Sequence, residues 1–410
     1  MTKQETMQSD QTEKNSIELP EMNVGVVGHI DHGKTTLLGR LTGKFTDTHS
    51  EELKRGITIK LGYAETTIYK DKNNYNNEKK GEPVRYVSFV DAPGHEMLMA
   101  TMLSGAAVID SAILVVAANE GIKPQTKEHF MALQAKGVKN IIIVQNKIDL
   151  VDKKRALENY QEIKAMLKGT IAENAPVIPV SAQQGVNIDR IFEELCKQKI
   201  PERDAKSEPV FIIARSFDIN RPGTNIKDLH GGVLGGILKK GTLNVGDEIE
   251  IKPGLLVKKA NQKYYQTLTT KILSLHKGKN SIQHAIPGPS ISIETSLDPF
   301  LTKADSLTGC VVSRKGVLPE ISYKVKIKYN LLKEISGLAE QEQVQQIKIK
   351  DMLMLSNDTT ITIGTVEKIV KNEIELSLNI PLVALIGNHV GIARNVKGHW
   401  RLIGWGEFIA

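Results

Sequence analysis

Between residues 22 and about 199 the chain repeats one pattern: a short, nearly continuous apolar run, a turn, then a stretch with helical periodicity. The runs occupy residues 23–27, 84–90, 112–117, 140–144 and 177–180, and helices are expected to begin near Lys34, Glu96, Gln125, Asp152 and Asn187. Strands that are apolar on both faces and alternate with helices form a mostly parallel sheet with helices on both faces. Such α/β sheets hold ligands at the carboxyl ends of their strands, where the turn residues of this chain are concentrated.

The pattern then changes. A charged linker at 200–208, with Pro201 and Pro209 about it, leads into short strands punctuated by Gly231, Gly232, Gly235, Gly236, Gly241 and Gly246. The segment 247–251 alternates polar with apolar as a half-buried strand does. A second break at 314–319 precedes 323–329, where Lys324, Lys326 and Lys328 alternate with Val325, Ile327 and Tyr329. The expected architecture is an α/β domain followed by two antiparallel β-barrel domains. Its bounds are a disordered polar tail at 1–20, the α/β domain at 21–204, and barrels at 205–317 and 318–410.

Composition removes several classes. The 410 residues suffice for two or three domains, and 40% hydrophobic with 25% charged content fits a soluble protein. The longest uncharged apolar run, 112–118, is too short to cross a bilayer, and the first residues carry no apolar signal core, so the expected location is the cytoplasm with no membrane partner. Cys196 and Cys310 are the only cysteines, too few for a disulfide framework or a cysteine-built metal site. A net charge of +7 and a pI near 9.0 are compatible with an RNA partner without requiring one.

The strongest chemical signal is GHIDHGKT at 28–35, placed between an apolar strand and a helical pattern, the context a phosphate-binding loop requires. Gly28 and Gly33 let the backbone turn so that the N–H groups of His29, Ile30, Asp31, His32 and the residues through Thr36 point at phosphate oxygens. The helix after them presents its positive end. Lys34 reaches the β- and γ-phosphates, and Thr35 is a magnesium ligand. DAPGH at 91–95 follows the strand at 84–90. There Asp91 can hold magnesium through water, and the Gly94 backbone can sense the γ-phosphate. Asp31 either assists the metal or caps a turn.

Base selection falls to NKID at 146–149. The Asp149 carboxylate can accept from N1–H and the 2-amino group of guanine, a donor pair adenine lacks; an unmatched base leaves a site-built polar group unpaired. Asn146 and Lys147 complete that loop, and Ser181, Ala182 and Gln183 form a fourth loop whose backbone can close over the guanine oxygen. The expected ligands are GTP, GDP and Mg2+.

These four motifs, in this order, resemble the GTPase domain of the translation-factor family, which is elongation-factor-Tu-like. HSEELKRGITIKLGYAET at 49–66 looks like the first switch region of one branch, the gamma subunit of archaeal and eukaryotic translation initiation factor two. The likeness continues through DAPGHEMLMATMLSGAA, VQNKIDLV, ARSFDINRPGT at 214–224, LDPFLTKAD at 297–305, IKYNLL at 327–332 and the terminal WRLIGWG. The resemblance implies an α/β P-loop GTPase domain carrying two barrels. It implies that Thr58 contacts magnesium and the γ-phosphate, and that His95, in place of the glutamine of small signalling GTPases, orients the attacking water.

It further implies alpha and beta partner subunits, methionyl initiator tRNA, and delivery to the small ribosomal subunit. Arg394, Trp400 and Arg401 lie in a family-like stretch, with Arg394 and Arg401 as candidate tRNA contacts. Many relatives carry a cysteine-rich zinc knuckle where this chain has KDKNNYNNEKKGE at 70–82. No zinc is therefore expected, and the segment reads as a mobile, solvated polar loop.

Overall fold

The computed structural model describes residues 21–43, 62–91, 109–135, 137–221, 223–259, 262–278, 280–288, 290–335 and 342–410. The expected tail at 1–20 and the helix expected near Glu96 lie outside them.

The first sheet is built from β1 (Glu21–Gly28), β2 (Gly62–Asp71), β3 (Asn74–Asn76), β4 (Glu82–Asp91), β5 (Ser111–Ala117), β6 (Asn140–Asn146) and β7 (Val177–Pro179), in the order β3-β2-β4-β1-β5-β6-β7. From β4 to β7 every pairing is parallel; β2 and β3 add an antiparallel edge. Helices α1 (Lys34–Thr42), α2 (Pro124–Ala135), α3 (Lys153–Leu167) and α4 (Ile188–Lys197) cover both faces. Leu37, Leu38 and Phe192 of α1 and α4 bury against Val24, Phe89 and Val144. On the other face Phe130, Leu133, Ile163 and Leu167 of α2 and α3 pack on Leu114, Val116 and Ile143. Strands buried on both sides need apolar residues at every position, which is why β5 reads as an unbroken run.

The segment 70–82 is not the free loop its composition suggested. Tyr69, Lys70 and Asp71 pair with Asn76, Tyr75 and Asn74 in a hairpin. Tyr75 packs on the core, and the Asn77 carboxamide donates to the Arg40 and Leu41 carbonyls at the end of α1, at 3.1 and 3.0 Å. Two anchors outweigh local polarity.

The second sheet closes as a six-stranded antiparallel barrel of β8 (Val210–Phe217), β9 (Val233–Lys240), β11 (Glu248–Lys259), β12 (Gln262–Lys277), β15 (Ile291–Thr295) and β16 (Val311–Arg314). The short β10 (Leu243–Asn244), β13 (Asn280–Ile282) and β14 (His284–Ala285) flank it. In β11 the strict alternation expected at 247–251 fails at Glu250, which is buried because its carboxylate accepts from the Leu318 backbone N–H at 2.8 Å.

The third unit is a closed antiparallel barrel in the order β17-β22-β21-β20-β23-β24. It comprises β17 (Ser322–Leu331), β20 (Met352–Asn357), β21 (Thr360–Val370), β22 (Glu373–Leu382), β23 (His389–Val396) and β24 (His399–Ile409), with β18 (Glu334–Ile335) and β19 (Glu342–Gln343) as a short outer pair. Lys324, Lys326 and Lys328 face out and Val325, Ile327 and Tyr329 face in, as the alternation requires.

The three units pack on one another. Val90 shares one buried apolar cluster with Val210, Ile212, Ile237 and Val311 of the first barrel and Val383 beside the second. Arg203 in the linker forms a bidentate pair with Asp110 at 2.9 and 2.7 Å. Between the barrels, Lys239 pairs with Asp358 at 2.6 Å and the Thr359 hydroxyl donates to the Ile213 carbonyl at 2.7 Å.

Arg401 does not point outward as a candidate RNA contact should. Its residue is 5% exposed, and its guanidinium pairs at 2.6 Å with Glu128 of α2, itself 2% exposed. Arg394 is likewise taken up internally, by Asp351 at 2.9 Å and by the carbonyls of Gln345 and Gln346. In this conformation both guanidinium groups are engaged inside the protein, although the Nε of each is buried with no hydrogen-bond partner among the described residues. Trp400 is half-buried on β24.

Candidate guanine-nucleotide site

The loop between β1 and α1 is shaped by two glycines. Gly28 has φ of 141°, and a Cβ there would press into the Val115 carbonyl oxygen of β5. Gly33 caps α1 with φ of 86°, and a Cβ would meet the Asn146 carboxamide nitrogen. Asp31 between them is also left-handed, with φ of 62°. The Lys34 ammonium lies across the loop, donating to the Gly28 and His29 carbonyls at 2.9 and 2.8 Å. Half-buried Thr35 and Thr36 form the first turn of α1, whose N–H groups open toward the loop. A backbone cradle with a cation at its rim and a helix N-terminus beneath is an anion site.

Three side chains that sequence reasoning passed over or left unassigned hold this loop from behind. His129 of α2 accepts the Gly28 N–H on Nδ1 at 2.9 Å, and Gln125, one turn earlier, accepts the Ile30 N–H at 3.4 Å. His32 donates from Nδ1 to the Val115 carbonyl at 3.2 Å, and its Nε2 is buried with no hydrogen-bond partner among the described residues. Gln125 and His129 stand four residues apart in a helical pattern, so their shared face was readable, though its target was not. Burial holds both histidines neutral: it lowers the His32 pKa to about 4 and, with Lys34 nearby, that of His129 to about 3.

Asp91 ends β4 opposite Val26, which brings its backbone beside the start of the loop. Thr35 and Asp91 are hard oxygen donors of the kind magnesium takes, and a cradle for phosphate supplies the rest of such a ligand set. Thr58, Gly94 and His95 lie outside the described residues. No group of three or more His, Cys, Asp or Glu side chains with metal-ligand geometry occurs among the described residues.

The second half of the site starts at the end of β6. Asn146 is 2% exposed; it donates to the His32 carbonyl at 2.9 Å and accepts the Ala182 N–H at 3.0 Å. Lys147 is left-handed at φ of 60°, with its ammonium 3.4 Å from Glu120. Asp149 is exposed in the tight turn Ile148–Leu150 that follows. Ser181 is buried, and its hydroxyl accepts the Gln184 N–H at 3.1 Å, closing a turn around Ala182 and exposed Gln183. The structure thus ties the phosphate, NKID and Ser181 loops to one another through Asn146.

A phosphate cradle joined to a carboxylate-bearing base loop, on a sheet that carries two barrels, defines a GTPase of the translation-factor class. Residues 20–201 match the elongation factor Tu GTP binding domain, and residues 323–408 match the C-terminal domain of initiation factor eIF2 gamma. The chain is 50% identical over 397 residues to translation initiation factor 2 subunit gamma of Methanocaldococcus jannaschii, covering 94% of this chain and 97% of that one. It is 49% identical over 407 residues to the same subunit of Pyrococcus furiosus, covering 96% and 98%.

Among solved structures, a bacterial selenocysteine-specific elongation factor shares the fold with a TM-score of 0.74 at 23% identity; 95% of this chain spans 58% of that factor. The elongation factor SelB of Methanococcus maripaludis, in complex with the GTP analogue GppNHp, gives 0.71 at 25% identity over 96% of this chain and 79% of that one. The chain belongs to the gamma-subunit family of translation initiation factor 2. No described helix is long and apolar enough to cross a membrane.

The buried histidines generate a pH prediction. Their folded pKa values lie below the unfolded value of about 6.5, so the unfolded chain binds more protons below that pH; stability is complete above it and is lost as pH falls toward the folded values. Each contributes a slope of about 1.4 kcal/mol per pH unit between about pH 6 and 4. Urea unfolding of the wild type and of His129→Asn at pH 7 and pH 5 checks this. The variant is expected to show a shallower acid loss by about one proton, and equal slopes would remove His129 from the account.

Proposed function

We propose that this chain is the GTP-binding subunit of a heterotrimeric initiation factor, assembled with alpha and beta subunits. In its GTP state it carries methionyl initiator tRNA to the small ribosomal subunit, and it releases the tRNA after hydrolysis. The reading is supported above all by near-half identity, along almost the whole chain, to proteins called translation initiation factor 2 subunit gamma. The segments 21–204, 205–317 and 318–410 serve as its three working domains.

In this reading Lys34 leaves the Gly28 and His29 carbonyls for the β- and γ-phosphate oxygens, a charge-assisted exchange that costs little reorganisation. The backbone N–H groups from His29 to Thr36 hold the remaining phosphate oxygens. Thr35, Thr58 and Asp91 hold magnesium, and Asp31 is close enough in sequence to assist. The ion, when bound, neutralises charge on the β- and γ-oxygens. Asp149 accepts the two guanine N–H donors, and the Gln183 N–H, which has no partner among the described residues, donates to the guanine oxygen.

Gly94 reports the γ-phosphate, and His95 orients water for in-line attack. The new P–O bond forms as the bond to the bridging oxygen breaks, GDP leaves, and the proton passes to phosphate. The barrels take part because α2 touches both the loop, through His129 and Gln125, and the second barrel, through the Glu128–Arg401 pair. With Arg394 and Arg401 occupied internally, the tRNA contacts must come from other side chains.

Two measurements test this. In filter binding with the alpha and beta subunits present, initiator tRNA is expected to be retained with a non-hydrolysable GTP analogue and lost with GDP, and elongator tRNA to be retained poorly in both. Equal retention of the two tRNAs would place the chain with other aminoacyl-tRNA carriers instead. In ribosome-stimulated turnover, His95→Ala is expected to bind GTP normally and hydrolyse it at least tenfold more slowly; unchanged turnover removes His95 from the mechanism.

A further inference from the structure

Arg40, in the last turn of α1, is used by none of the readings above. Its side chain crosses to the fourth loop and donates from Nε to the Ala182 carbonyl at 3.0 Å and from a terminal nitrogen to the Gln183 carbonyl at 2.6 Å. We propose that Arg40 is a positioning residue for guanine: by clamping these two carbonyls it aims the loop's remaining N–H at the base oxygen. The proposal rests on the guanine-nucleotide reading of the site.

The geometry of the turn carries the argument. Successive peptide groups are rigid, so fixing the carbonyls of Ala182 and Gln183 fixes the planes that bear the Gln183 and Gln184 N–H groups. The Gln184 N–H is taken by the Ser181 hydroxyl and the Ala182 N–H by Asn146, which leaves the Gln183 N–H to face the base. Without the clamp, the exposed outer half of the turn is held, among the described residues, by the Ser181 hydroxyl and the Ser181–Val186 bridge. A planar guanidinium can hold two carbonyls at once, and a lysine ammonium cannot do so with the same rigidity.

Arg40 is itself held. The Asn77 carboxamide of the β2–β3 hairpin donates to the Arg40 and Leu41 carbonyls, and Gly43 closes the helix end by donating to the Gly39 carbonyl at 2.8 Å. The hairpin that stands where the knuckle segment would fall is thereby joined, through α1, to the loop facing the base. Arg40 is exposed, so its replacement leaves the core intact.

The test uses the full chain and four probes: GDP, inosine diphosphate, 2-aminopurine riboside diphosphate and pyrophosphate. The first two carry the base oxygen, the third lacks it, and the fourth has no base. Arg40→Ala is expected to weaken GDP and inosine diphosphate alike by about tenfold, the loss of one charge-assisted restraint, and to leave the other two probes within about twofold. Arg40→Lys is expected to fall between. Loss shared by 2-aminopurine riboside diphosphate or pyrophosphate would show general loosening and overturn the proposal, as would unchanged GDP affinity. Failure of the wild type to bind GDP would instead sink the reading of the site on which the proposal rests.

Discussion

One buried carboxamide sets the geometry of the nucleotide site. Asn146 donates to the loop after β1 at His32 and accepts from the loop after β7 at Ala182, so both lobes are measured from the end of one strand. A net hydrogen bond is worth only about 1 kcal/mol, but leaving a buried partner unsatisfied costs about 1–3 kcal/mol, so the arrangement is specified more by what its loss would expose than by what it contributes. Gly33 follows from the same constraint. Its left-handed backbone and the nearness of the Asn146 amide both exclude a side chain.

Behind the loop, histidines take the place of solvent. His129 and His32 are neutral because burial in the core penalises their charged forms, and neutrality lets His129 Nδ1 accept the Gly28 N–H. The same helix carries Glu128 toward Arg401 of the last barrel. A buried ion pair of this kind does little for net stability, since desolvation offsets attraction, but removing one partner is costly because it leaves the other charge buried and unpaired. The loop after β1, α2 and the second barrel are thus joined by direct contacts, Gly28 to His129 and Glu128 to Arg401.

Much of this was legible because it is local. Five apolar runs gave five strands, and four of the five expected helices lie among the described residues with starts within a residue of Lys34, Gln125, Asp152 and Asn187. The α/β-to-barrel change and the glycines of the phosphate loop were likewise written in short-range pattern. What escaped was long-range. β2 buries Ala64, Thr66 and Ile68 in weak alternation, and its partner hairpin looks like solvent-loving loop until Tyr75 and Asn77 find anchors far away in sequence. Arg401 looked available because a sequence does not show that Glu128, 273 residues earlier, neutralises it. Arg40 looked like an ordinary helix-end cation for the same reason.

Isothermal titration calorimetry of the purified chain with GDP and with ADP tests the central claim, that two loops tied by Asn146 act as one pocket reading both phosphate and base. One GDP per chain, with no measurable heat from ADP at the same concentrations, is the result this arrangement requires. Uptake of ADP as readily as GDP, or of neither, would contradict it.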